Sequence, residues 1–277
     1  MSGTSKLLPV PTARKLIAAV MLVQIFLLLL RSWLQLELTA YGISDAVSAD
    51  LSYLVVFPLM VIFFYPILRQ FWSHLCSKLK LTNLSVKAIA IGIGVGLALR
   101  FTRWGVVIGG VSFGYLVDPN SGASAALVVR FGCPPYAALI LSLFVMAFLI
   151  PVVEEVINRG LLLEWLLKYG RVAGLILSSV LFAMMHRPET IGIAFIFGLF
   201  AGLLYINSGS LWPSLFAHFS YNAMAVVDWD CINTVWNPQS VTDPLRGVGL
   251  LAVALALCSF ALACILVSKS IAQPSVK

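Results

Sequence analysis

Two adjacent carboxylates, Glu154 and Glu155, interrupt an apolar run from Leu149 to Leu163, and Arg159 follows in the same run. On a helix, Glu155 and Arg159 lie four residues apart and share a face, so they can pair. Glu154 points about 100° away from Glu155 and is left for another partner. Further along, Phe182-x-x-x-His186 and His218-x-x-x-Asn222 bring two of the chain's 3 histidines into apolar surroundings. A carboxylate and an imidazole can together take a proton from water. A second imidazole and a carboxamide can donate hydrogen bonds to a developing oxyanion. The set therefore supports hydrolysis of a peptide bond by an activated water. Glu154 and His186 are the expected water-activating pair, His218 and Asn222 the expected oxyanion donors. Glu155 and Arg159 are expected to be structural partners, and Phe182 to pack.

Those residues need elements that hold them in an apolar medium. Hydrophobic residues make up 61% of the 277 and charged residues 10%, against roughly a quarter charged in soluble domains. A chain this apolar suits lipid, where backbone groups must be satisfied within helices or a closed barrel. Its apolar runs are continuous rather than alternating, which selects helices. The expectation is an all-α, polytopic transmembrane bundle with about eight spans. They fall at roughly 15–36, 50–68, 87–108, 135–163, 171–187, 190–207, 211–228 and 247–268. The first resembles a signal peptide but lacks a small-residue cleavage site, so it reads as an uncleaved span. Arg100 and Arg103 interrupt the third, which is expected to end near Leu99 ahead of a Gly-rich re-entrant or surface loop.

Charge sets the orientation. Lys6, Arg14, Lys15, Arg69, Lys78, Lys80, Lys87, Lys168, Arg171, Lys269 and Lys277 fall on one side of an eight-span arrangement. By the positive-inside rule that side, with both termini, is the cytoplasm. Glu37, Asp45, Asp50, Asp118, Asp228, Asp230 and Asp243 fall on the other. The net charge of +7 is spread through short loops, so it marks orientation rather than a nucleic-acid partner. At ~1.5 Å per residue, Glu154 and His186 lie roughly 21 and 22 Å from their cytoplasmic helix ends, and Asn222 roughly 20 Å. Three helices thus carry polar groups to one depth, with His218 shallower at roughly 14 Å.

Glu154-Glu155-x-x-x-Arg159, Phe182-x-x-x-His186 and His218-x-x-x-Asn222, in this order over residues 135–230, resemble the three motifs of the CPBP (Abi) family. That family comprises CAAX prenyl endopeptidases and bacteriocin-processing or immunity proteins. The resemblance implies a metal-independent glutamate intramembrane protease with Glu154 and His186 activating water and His218 and Asn222 holding the oxyanion. It divides the chain into spans one to three (1–134), a catalytic core (135–230) and an outer loop with the last span (231–277).

Two other function classes fit the same residues. Glutamate and two histidines are acceptable zinc ligands, although no HExxH is present, so zinc and other cofactors are not expected. Intramembrane ionisable groups also serve transporters, immunity factors and scaffolds. The expected partners are membrane lipid and a membrane-associated protein or peptide substrate, and the expected location is a bacterial inner membrane. Arg100 and Arg103 read as snorkelling residues or lipid-headgroup ligands. Cys258 and Cys264 read as small core residues; Cys133 and Cys231 are candidates for a disulfide if they face one side. Gly192, Gly198 and Gly202 read as close-packing positions, and Trp229 and Trp236 as interfacial anchors.

Overall fold

The structure, a computed structural model, describes residues 10–117, 126–131, 133–186, 188–237 and 244–270. Lys6, Asp118, Arg187, Asp243 and Lys277 lie outside these residues, as do the side chains of Trp229 and Trp236. Eight long helical segments follow one another: α1 Val10–Ala40, α2 Asp45–Lys78, α3 Val86–Val117, α4 Tyr136–Tyr169, α5 Arg171–Ala183, α6 Ile191–Ser208, α7 Trp212–Cys231 and α8 Pro244–Ser270. Each of the eight expected stretches falls within or overlaps one of these helices. Five stretches among the described residues are long and apolar enough to cross a membrane: Val47–Pro66, Val86–Gly110, Tyr136–Tyr169, Ile191–Ser208 and Gly249–Ser270. Large apolar side chains such as Leu22, Ile62, Phe144 and Leu257 cover the exterior. That surface belongs in lipid, and the protein is an integral membrane protein.

Two expectations about the spans are corrected. The third does not stop at Leu99; α3 continues past Arg100 and Arg103 to Val117, because Arg100 finds a partner on α7. The fifth is shorter than a full crossing, since α5 has 13 residues and spans roughly 20 Å of a hydrocarbon core near 30 Å. The fold is all-α as expected, with one short extra element. A two-stranded antiparallel ribbon pairs β1 (Ala126–Phe131) with β2 (Ile232–Asn237), Phe131 opposite Ile232. Beside it a disulfide joins Cys133 to Cys231, tying the start of α4 to the end of α7.

Glycine makes the tight turns at the opposite end. Gly170, at φ 104°, separates α4 from α5, and Gly209, at φ 66°, ends α6 with its N–H on the Tyr205 carbonyl. Both need the left-handed region that only glycine enters without strain. Ser210 and Leu211 then bond back to the Lys78 carbonyl. Glu164 accepts from Tyr205 Oη at 2.6 Å and from Lys78 at 2.8 Å. These contacts fasten α2, α4, α6 and the start of α7 at one level.

Small residues bring α3 close to its neighbours. A Cβ at Gly92 would sit 2.5 Å from the Pro213 carbonyl, and one at Gly96 2.1 Å from that of Ala217. One at Gly105 would sit 2.4 Å from the Ala252 carbonyl on α8. In α6, Gly198 lies against Ser179 and Gly202 against Leu175, whereas Gly192 has open space around it and is not a packing position. Cys258 and Cys264 are exposed on α8 rather than buried in the core. A central apolar cluster of Val95, Leu99, Phe182, Phe197, Leu204 and Ala217 draws on α3, α5, α6 and α7.

Candidate active site

The site is built on α4, which is irregular where its charges sit. Two π-helical stretches, Leu143–Leu149 and Val156–Leu163, flank the turn Ile150–Glu155 that carries both glutamates. Such widened turns recur at functional sites because they peel backbone groups out of the regular ladder. Here the sequence supplies a reason. Ile150 donates its N–H five residues back, to Val145. In that register the next donor would serve Met146, but the next residue is Pro151, which has no N–H. The Met146 carbonyl takes its bond from Asn222 Nδ2 instead, at 2.8 Å. Lipid supplies no donor, so a side chain re-satisfies the group that proline frees. One turn on, Asn158 Nδ2 bonds the Glu154 carbonyl at 2.8 Å.

Glu155 and Arg159 form an ion pair at 3.0 Å, with both side chains almost wholly buried. The same carboxylate oxygen, Oε1, lies 2.9 Å from His218 Nδ1. The other ring nitrogen of His218, Nε2, lies 3.6 Å from Glu154 Oε2. The four groups alternate along one line: Arg159, Glu155, His218, Glu154. Of these, only Glu154 is appreciably exposed, at 22% of its side chain.

Aromatic rings wall this line. The Phe182 ring lies 4.3 Å from the Arg159 guanidinium carbon, close enough for a cation–π contact. It also lies 4.7 Å from the His186 ring and 6.0 Å from the His218 ring. Phe182 therefore contacts both histidines. Phe197 of α6 packs on the other side of His218, at 4.7 Å. His186 follows the end of α5; its backbone N–H bonds the Ala183 carbonyl and its Nδ1 lies 2.9 Å from the Phe182 carbonyl. A carbonyl only accepts, so Nδ1 of His186 carries the hydrogen, and Nε2 of the neutral ring is an acceptor.

All seven expected residues thus gather around one core, with Glu155 and Arg159 paired as their spacing suggested. Glu154 meets His218, and within 4 Å it makes no ion pair with His186. His218 and Asn222 share a face of α7 but engage different parts of α4, the glutamates and the Met146 carbonyl. Asn222 still has a second amide hydrogen beyond the one given to Met146. Phe197 and Asn158 were missed by the sequence reading, and one apolar span with a phenylalanine offers no signal to find them. Arg100 is corrected too: it is 1% exposed and ion-paired with Asp228 of α7, with the Tyr221 ring 5.5 Å away. A zinc site would need ring nitrogens turned to a common point; among the described residues no group of three or more His, Cys, Asp or Glu is arranged to hold a metal.

No curated protein matches the chain. Residues 136–224 match the family model described as type II CAAX prenyl endopeptidase Rce1-like. The matched segment runs from the first turn of α4 to just past Asn222, so it contains all three motifs and excludes α1 to α3 and α8. The segment 136–224 is thus similar to the Rce1-like domain of the CPBP family, a family of CAAX-type proteases.

Proposed function

We propose that this protein is a glutamate-type, metal-independent intramembrane endopeptidase that cleaves a membrane-associated or lipid-modified protein or peptide. The supporting observation is the placement of Glu154. It is the one partly exposed member of an otherwise buried polar line, within 3.6 Å of an imidazole nitrogen. A carboxylate so placed can take a proton from a water that reaches it. His186 presents an acceptor Nε2 to orient that water, and His218 and the second Asn222 hydrogen stabilise the oxyanion. The working segment is residues 135–230, with the remaining spans as its supports.

The orientation follows from two independent features. Lys78, Lys168 and Arg171 sit at the end where α2 and α4 finish and α5 begins. The Cys133–Cys231 disulfide sits at the other end, and disulfides persist on the oxidising side of a membrane. Both features support the reading that α1 begins and α8 ends on the cytoplasmic side of a bacterial inner membrane.

The test is cleavage of a fluorogenic farnesylated peptide ending in Cys-aliphatic-aliphatic-X by the purified full chain in lipid nanodiscs. It is paired with terminal proteomics of host membranes. Glu154→Gln is expected to slow cleavage roughly 10³-fold while leaving the folded protein intact. Equal rates for Glu154→Gln and wild type would sink the reading.

A further inference from the structure

The two histidines of the site are anchored in the same way but against different charge. Each presents Nδ1 to an acceptor that cannot donate: the Phe182 carbonyl for His186, the Glu155 carboxylate for His218. Glu155 is held as a carboxylate by Arg159, 3.0 Å away on the same oxygen. Nδ1 of His218 therefore carries a hydrogen. Nε2 then has a lone pair in the neutral ring and an N–H in the imidazolium. A bare lone pair facing the Glu154 carboxylate at 3.6 Å would be two acceptors opposed.

Resting on the protease reading, we infer that Glu155 is a positioning residue that fixes the hydrogen of His218 at Nδ1, so that Nε2 holds a second proton shared with Glu154 and acts as a cationic oxyanion donor. Charge supports this. With the proton on Nε2, the buried line reads plus, minus, plus, minus from Arg159 to Glu154 and sums to zero. Without that proton the line would carry one uncompensated negative charge in an apolar medium, which is costly. The aromatic rings packed on His218 are those of Phe182 and Phe197, neither of which titrates. His186 packs on the Phe182 ring and its Nδ1 faces the Phe182 carbonyl. No other charged group competes for Nε2 among the described residues.

The step balances with this assignment. A water oxygen bonds to the scissile carbonyl carbon, its proton passes to Glu154, and the carbonyl π pair moves onto oxygen. As Glu154 becomes neutral, Nε2–H of His218 is released from it and turns to the new oxyanion. When the intermediate collapses, the C–N bond breaks and the leaving amine takes the proton from Glu154. Glu154 is again a carboxylate beside an imidazolium, and one water has been consumed.

The experiment is ¹⁵N NMR of histidine-labelled full chain in nanodiscs. With only three histidines, His74→Gln and His186→Gln spectra assign the His218 signals. His218 Nδ1 is expected to show the protonated signature in wild type, with Nε2 protonated at neutral pH. In the charge-balanced Glu155→Leu/Arg159→Met protein, Nδ1 is expected to lose its proton and Nε2–H to donate to Glu154. On the peptide substrate that protein should show kcat lower by roughly 10²–10⁴-fold with KM little changed. An unprotonated Nδ1 in wild type overturns the inference without touching the protease reading, which stands or falls on Glu154→Gln. A double variant that keeps the wild-type kcat also overturns it.

Discussion

Two of the charged groups buried between helices among the described residues are built differently. Arg100 of α3 and Asp228 of α7 form a closed pair, two opposite charges from two helices with the Tyr221 ring alongside. Arg159, Glu155, His218 and Glu154 form an open line that starts in the core and ends at a carboxylate that water can reach. A closed pair satisfies itself and can do no more than hold two helices in place. An open line keeps one end for chemistry. Charge inside a membrane protein is therefore not by itself a sign of catalysis; what matters is whether the last group in the chain of contacts has a partner of its own.

That contrast can be tested at the buried end of the line. Arg159→Met alone removes one of the two cations beside the fully buried Glu155 and leaves the line with an uncompensated negative charge. Breaking a buried pair from one side costs about 3–5 kcal/mol, the largest stability loss expected here. Thermal unfolding in nanodiscs would register it as a large drop in Tm. Adding Glu155→Leu removes the stranded charge and should recover most of the lost stability, because an apolar replacement of both partners is often neutral. Cleavage should not return with it. Recovery of both stability and cleavage in the double variant would make the line a closed pair in effect, and the contrast would fail.

Much of the open line was legible in the sequence, and little of the closed pair was. Glu155 and Arg159 are neighbours on one helix, so spacing alone predicts their contact. The order of the eight helices also follows from apolar runs and turn glycines. Arg100 and Asp228 are separated by 128 positions, and nothing local announces that they meet. Arg100 consequently reads as a residue reaching for the membrane surface. Residue depth places His186 and Glu154 at one level, but it cannot see that His218 lies beside Glu154 or that the Phe182 ring touches both histidines. Nor do regular helices allow for the π-helical turns of α4, whose widened register Pro151 and Asn222 complete. The ribbon beside the disulfide lies where the strands of α4 and α7's flanks meet, and pairing of that kind is again a long-range fact.

The seam between α3 and α7 joins the two regions and sharpens the comparison. Gly96 lies four residues before Arg100 and presses against Ala217, the residue before His218. A Cβ there would stand 2.1 Å from the Ala217 carbonyl and from Ser220 Oγ. Gly96→Ala must push α7 outward. Overpacking of this kind costs about 1–3 kcal/mol, and it moves the helix that carries both His218 and Asn222. The expected outcome is a lowered Tm together with slower cleavage, measured on the same peptide. Unchanged cleavage would mean that the position of α7 does not set the site.

The smallest effect is expected where the charge is closed. Arg100→Met alone leaves Asp228 without its guanidinium, but Asp228 is 19% exposed and water can share its charge. The loss should be nearer 2 kcal/mol than the cost at Arg159. Arg100→Met/Asp228→Leu removes both charges and should bring stability to within about 1 kcal/mol of wild type. Methionine keeps the apolar stem of the arginine against Tyr221, so the α3–α7 contact survives. Cleavage should survive as well, because neither residue touches the line that ends at Glu154. A double variant that unfolds normally yet no longer cleaves the peptide would place Arg100 among the working residues. The closed pair would then serve the reaction through α7, and closure would no longer separate support from chemistry.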